Sequence, residues 1–115
     1  MGVDLVAFAD RFPRMSPPKD ASDKAKKGFL AFRVNCMSCH TINGEGGNKA
    51  PELNYPMSAT EYLSDAWMRK WLMEPRSIRY NSTMPSFASH PDPDGLVDDV
   101  LAYLKTMARH KQKPE

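Results

Sequence analysis

The stretch Cys36-Met37-Ser38-Cys39-His40 decides how the rest of this chain is read. It holds both cysteines of a 115-residue sequence, three positions apart, with a histidine directly after the second. Two thiols at that spacing on a helical turn share one face, so both can bond to neighbouring edges of a single flat ligand. Two other uses of a Cys-x-x-Cys pair compete. A structural zinc site needs four ligands, yet the remaining imidazoles, His90 and His110, form no second paired cluster. A thioredoxin-like redox pair needs a βαβ setting, which the surrounding sequence does not offer.

With His40 in place, Cys-x-x-Cys-His is the attachment signature of a c-type haem. Cys36 and Cys39 reach its two vinyl groups as thioethers, and His40 presents an imidazole nitrogen to the iron from the same side. Working outward, Asp20 or Ser22 caps a first helix. Ala25, Gly28, Phe29 and Phe32 recur on one of its faces, and it is expected to run through Cys39. Residues 41–57 read as loop, with Gly44, Gly46, Gly47, Asn48, Pro51, Asn54 and Pro56. Ser58-Ala59-Thr60-Glu61 is a capping box that opens one helical stretch with Trp67, Met68, Trp71 and Leu72 on its apolar face, ended by Pro75. Residues 75–93 are irregular again. Asp94 is expected to cap a last helix, with Val97, Val100, Leu101, Leu104 and Ala108 inward.

The expected architecture is all-α, three to four helices with long loops. Structureless stretches of ~17 residues are uncommon in a compact domain unless a large buried group organises them. Residues 1–20, broken by Pro13, Pro17 and Pro18, read as an extended arm over the domain or as a partly disordered tail. The domain is placed at 21–110, with a tail at 111–115.

Composition excludes several functions. Sixteen Lys and Arg against 14 Asp and Glu leave a formal charge of +2, without the basic excess of a nucleic-acid binder. Hydrophobic residues form 41% of the chain, but no apolar run approaches the ~20 residues of a membrane span. Two cysteines are too few for a disulfide scaffold. The start, Met1-Gly2-Val3-Asp4-Leu5-Val6, lacks the features of a signal peptide and of a myristoylation site; if the protein works outside the cytoplasm, a leader is expected to have been removed.

A second axial ligand is sought among eight methionines. Met37 lies between the cysteines. Met68, Met73 and Met107 fall in helices, where core packing accounts for them. Met84 sits in the loop Ser82-Thr83-Met84-Pro85-Ser86-Phe87, which can lay a thioether over the far side of the ring. Met57 is the next choice, and an open or His90-ligated iron is the remaining alternative.

On Cys36–His40, Ala50-Pro51-Glu52-Leu53, Thr83-Met84-Pro85-Ser86-Phe87 and Leu101-Ala102-Tyr103-Leu104, the chain resembles the class I mono-haem cytochromes c from about Ser22 to His110. The resemblance implies one covalent haem c with His40 and Met84 on the iron. It also implies that the Pro51 carbonyl accepts the other imidazole N–H, against the plain reading of a turn proline. Gly28 and Phe32 would pack on Tyr103. Ala50 departs from the glycine common there, which leaves the shape of that turn open. Trp71 is the candidate indole donor to a haem propionate, although Trp67 and Trp71, four apart, also read as core. Arg76, Arg79 and Tyr80 are further candidates for the propionates, while His90 and His110 read as solvent residues.

The implied function is one-electron transfer between Fe(II) and Fe(III) by a soluble carrier, not an enzyme. The alternatives are a catalytic or gas-sensing haem with an open distal side, and a haem domain or subunit of a larger redox enzyme. The resemblance places the protein in the periplasm, or failing that in the mitochondrial intermembrane space. Docking to transient redox partners is expected at an apolar rim of Met37, Met57, Pro85 and Phe87, ringed by Lys49, Arg76, Arg79, Glu45 and Glu52. The stretch Pro56–Tyr62 is similar to cytochromes that accept electrons from molybdenum-containing, sulfite-type dehydrogenases; a terminal oxidase or another cytochrome would then take the electron.

Overall fold

The computed structural model describes residues 13–47, 49–82 and 84–113. Helix α1 (Asp23–Asn35) starts where Ser22 Oγ accepts the Ala25 N–H at 3.1 Å, and it buries Ala25, Gly28, Phe29 and Phe32. Its main partner is the last helix, Pro93–Ala108, which buries Val97, Val100, Leu101, Tyr103, Leu104 and Met107. The two cross at Gly28, where a Cβ would stand 1.9 Å from the Asp99 carbonyl oxygen. Only glycine permits that approach. Phe29 and Phe32 then reach Tyr103 with ring centroids 5.5 and 5.4 Å apart, a tilted aromatic cluster at the centre of the core.

The first helix stops at Asn35 instead of continuing through Cys39. Cys36 and Met37 both donate their N–H to the Phe32 carbonyl, at 2.8 and 3.0 Å, which closes the helix. A separate turn follows, in which Cys39 and His40 donate to the Cys36 carbonyl at 3.1 and 2.9 Å. The expected loop after it contains a small hairpin, β1 (Thr41–Ile42) with β2 (Glu45–Gly46), antiparallel and pairing Thr41 with Gly46. Its two-residue turn is Asn43-Gly44, both at positive φ (52° and 85°). Asn-Gly is the strongest short hairpin signal in any sequence.

The single helix expected after Ser58 is two. Helix α2 (Ala59–Tyr62) has the capping box, Ser58 N–H donating to Glu61 at 2.6 Å. Leu63 is extended, and Ser64 Oγ caps α3 (Asp65–Met73) by accepting the Trp67 N–H at 3.1 Å. Pro75 ends that helix and also opens the one-turn α4 (Pro75–Ile78), because a missing N–H costs nothing at the first helical position. The last helix, α5 (Pro93–Ala108), is capped by Asp92 rather than Asp94; Asp92 accepts the Gly95 N–H at 3.2 Å. Ion pairs Arg69–Asp98 and Lys105–Asp65 tie α3 to α5. The fold is all-α apart from the hairpin, with five helices among the described residues. None of these is long and apolar enough to cross a membrane.

Of the expected arm, residues 1–12 lie outside the described residues. Residues 13–20 are packed onto the domain. Met15 is fully buried, the Arg14 and Met15 N–H groups both donate to Glu45 Oε1 at 2.8 Å, and the Tyr103 hydroxyl donates to the Met15 carbonyl at 2.6 Å. The expected tail is also attached: Gln112 donates its N–H to Asn43 Oδ1 at 3.0 Å.

Candidate functional site

Helices α1, α2, α3 and α5 and two loops line one cavity with about 760 Å³ of space free of protein atoms, part of it open to solvent. Phe32 and Cys36 form the α1 side, and Val100 and Leu104 the α5 side. Met68, Trp71 and Leu72 come from α3, while Ala59, Tyr62 and Leu63 come from α2 and the bend after it. His40, Pro51 and Leu53 stand on one loop and Met84 on another. Apart from His40 the walls are almost wholly apolar.

The turn that carries His40 rests on glycines. A Cβ on Gly47 would fall 2.0 Å from the Ser38 carbonyl oxygen, and one on Gly46 (φ +120°) 2.4 Å from that of His40. The backbone can therefore run directly beneath the turn, and Gly47 N–H donates to the Met37 carbonyl at 2.8 Å. Ala50 donates to the Cys39 carbonyl at 2.9 Å; its φ is not positive, so alanine sits there without strain. His40 is buried, with Nδ1 2.8 Å from the Pro51 carbonyl oxygen. A carbonyl only accepts, so Nδ1 holds the proton and Nε2 holds the lone pair.

Cys36 is buried in the wall; burial, with Cys39 adding to it, pushes its thiol up to about 12. It is a neutral thiol, unlike the acidified thiolate of a redox-active pair. Cys39 is half-buried and does not line the cavity. Among the described residues no group of three or more His, Cys, Asp or Glu could hold a metal ion directly. An apolar slot edged by a thiol, an imidazole with a free Nε2 and a thioether suits a haem, so the residues present fit that group.

Several expected residues stand elsewhere. Arg79 is exposed and Tyr80 is 88% exposed, and neither lines the cavity, because α4 ends before them and the chain turns outward. Arg76 is exposed on α4. Trp67 is 42% exposed instead of sharing the apolar face with Trp71, which is half-buried in the wall. Met57 is exposed and outside the wall. His90 and His110 are exposed, as expected of solvent residues. Phe87, expected on the rim, is 3% exposed and belongs to the core. Glu45 and Glu52, expected as rim charges, turn inward to backbone N–H groups.

Glu52 is the feature that sequence reading missed. Its Oε1 accepts Gly44 N–H at 2.8 Å, and its Oε2 accepts Asn43, Asn54 and Tyr55 N–H at 3.1, 2.7 and 2.7 Å. Beside it, buried Asn54 donates Nδ2 to Asn43 Oδ1 and the Met107 carbonyl at 2.8 and 2.9 Å. Asn43 Nδ2 reaches the Arg14 and His110 carbonyls at 2.9 and 3.0 Å. The Asn43-Gly44 dipeptide was the one legible sign of this network.

A comparison with known protein families gives the same answer as the cavity. The family model described as cytochrome c matches residues 25–108, from the first turn of α1 to the end of α5. That span takes in the attachment turn, both loops and the helix crossing at Gly28. The chain therefore belongs to the cytochrome c family, which carries covalently attached haem c for electron transfer.

Proposed function

We propose that this protein is a small one-electron carrier of the class I type, a carrier and not an enzyme, with haem c bonded to Cys36 and Cys39 and with His40 and Met84 as its axial ligands. The observation that carries this reading is the meeting of Met84, distant in sequence, with Cys36 and His40 on the wall of one apolar cavity. Bound haem supplies an iron that gains and releases one electron. The Pro51 carbonyl holds His40 in the tautomer whose Nε2 can ligate, and makes that nitrogen a better donor. The Met84 thioether favours the ferrous state and sets a higher potential than a second histidine would. Trp71, half-buried in the wall, offers its indole N–H to a propionate. Phe32, Leu72, Val100 and Leu104 line the cavity and would keep water from a bound haem. Were His40 and Met84 both to hold the iron, they would leave no position for a substrate.

The electron enters and leaves at an apolar rim that now comprises half-buried Met37 with exposed Met57 and Pro85. With Glu45 and Glu52 committed internally, the charges around it are Lys49, Arg76 and Arg79, all exposed. The partners we propose are redox proteins in brief complexes in the periplasm, a molybdenum-containing sulfite-type dehydrogenase as donor among them. The decisive test is spectroscopic. The oxidised protein is expected to be low-spin with a near-infrared sulfur-to-iron band that Met84→Ala abolishes. High-spin iron, or ready binding of carbon monoxide by the native protein, would overturn the carrier reading in favour of catalysis or sensing. Survival of the band in Met84→Ala would transfer the ligand role to Met57.

A further inference from the structure

The loop beneath His40 is paired to the attachment turn residue by residue. Ala50 N–H donates to the Cys39 carbonyl at 2.9 Å, the Pro51 carbonyl faces His40 Nδ1 at 2.8 Å, and Leu53 N–H donates to the Thr41 carbonyl at 2.9 Å. Nothing in those three contacts alone keeps the peptide after Pro51 from tilting its oxygen away, because a single carbonyl can swing about its flanking dihedrals. The adjacent side chain removes that freedom. Glu52 joins the Asn43-Gly44 turn on one side to Asn54 and Tyr55 on the other through four N–H groups. The segment that starts with the Pro51 carbonyl is thereby anchored within two residues of that oxygen.

We propose that Glu52 is a positioning residue for the haem ligand: its carboxylate fixes the Pro51 carbonyl against His40 Nδ1 and so sets how strongly His40 donates to the iron. This rests on the reading of His40 as a ligand. Four N–H groups converge on the carboxylate of Glu52, the residue joined directly to the Pro51 carbonyl that touches the imidazole. Burial opposes the charged form of Glu52, yet the Tyr55, Gly44 and Asn54 N–H groups and the Thr41 hydroxyl outweigh it and hold the carboxyl below its ordinary value. The site is built for a carboxylate. A neutral amide of the same shape would oppose its NH₂ to backbone donors and release part of the anchor.

The test compares the holoprotein with Glu52→Gln and Glu52→Asp, reading the solvent exchange of the His40 Nδ1 proton by NMR and the reduction potential. In Glu52→Gln that proton is expected to exchange about tenfold faster or more, the factor that the loss of one charge-assisted hydrogen bond corresponds to. The potential is expected to rise, since a less basic imidazole stabilises ferric iron less. Glu52→Asp, which keeps the charge, is expected to fall between the two and gives the answer should the glutamine variant not fold. Amides of Phe29 and Val100 in the helix crossing are expected to keep their protection. An unchanged His40 proton and potential would overturn the proposal. So would an equal acceleration at Phe29 and Val100, which would mean general loosening. If the His40 resonance of the unaltered protein shows no haem-induced shift, the ligand assignment itself fails and the role of Glu52 falls with it, whereas a shifted resonance with an unchanged proton and potential overturns the role of Glu52 alone.

Discussion

The segment from Cys36 to Tyr55, which carries His40, and the segment from Glu74 to Asp92, which carries Met84, flank the same cavity and are built differently. The first is sewn to the rest of the molecule by polar bonds over long sequence distances. Asn43 and Asn54 reach Arg14, Met107 and His110, and Glu52 gathers four N–H groups. Among its described residues the second has few ties beyond itself. Phe87 N–H donates to the Leu72 carbonyl at 3.0 Å and Ser86 Oγ to the Met73 carbonyl at 2.5 Å, while Met84 N–H goes only to Ser82 Oγ at 3.2 Å. What holds this segment is apolar burial, chiefly of the Phe87 and Pro75 rings. The imidazole side is thus preorganised by directional bonds, whereas the thioether side depends on apolar burial at Phe87 and Pro75.

That contrast is most exposed to Phe87→Ala. Emptying this position should cost about 3–5 kcal/mol, the usual loss for a buried phenylalanine. The near-infrared band attributed to Met84 should disappear at lower urea than the helical signal. Coincident loss of band and helix would show that the two segments unfold as one unit, and the comparison would not stand.

Asn54→Ala probes the other side. It strips donors from the buried Asn43 Oδ1 and from the Met107 carbonyl, at a cost of about 1–3 kcal/mol. Faster hydrogen exchange is expected at the Asn43 and Gln112 amides, with the Met84 band intact. A band weakened in parallel would mean that strain crosses the cavity.

Acid gives the smallest and most selective effect. The Glu52 carboxyl lies below its ordinary 4.5 in the fold: burial raises it, but N–H groups of Tyr55, Gly44 and Asn54 and the Thr41 side chain lower it further. A folded value below the unfolded one means the carboxylate favours the fold. Its contribution is complete above about pH 4.5 and is lost as pH falls through the lowered value. Urea midpoints taken from pH 6 down to pH 3 should therefore decline with a slope that Glu52→Gln flattens. An equal slope in the variant would assign the acid sensitivity to other carboxylates, such as Asp98, which Arg69 holds below its ordinary value.

Much of this was open to reading from residues a few positions apart. Ser22, the Ser58–Glu61 box and the inward faces of α1 and α5 act through bonds and periodicities spanning one or two turns. The Cys36–His40 spacing likewise states its chemistry within five residues. Helix ends were less legible, since Cys36, Ser64, Pro75 and Asp92 each stop or start a helix by a backbone conformation that alternatives nearby could equally have supplied.

What the amino-acid sequence determined by itself was the all-α plan, and it named the residues proposed for attachment and ligation, because each depends on local periodicity and on residue chemistry that no packing can change. The tertiary structure alone decided which chemically equivalent groups were used. Glu45 and Glu52 turn inward to cap backbone while Lys49 and Arg79 stay in water; Phe87 and Met15 fill the core while Trp67 and Met57 face solvent. Those outcomes turn on contacts such as Arg14 with Glu45, 31 residues apart, and Tyr103 with Met15, 88 apart. A carboxylate or an aromatic ring has the same local propensities in either role. Only the assembled backbone, by presenting unpaired N–H groups or an unfilled volume, gives one of them the lower free energy.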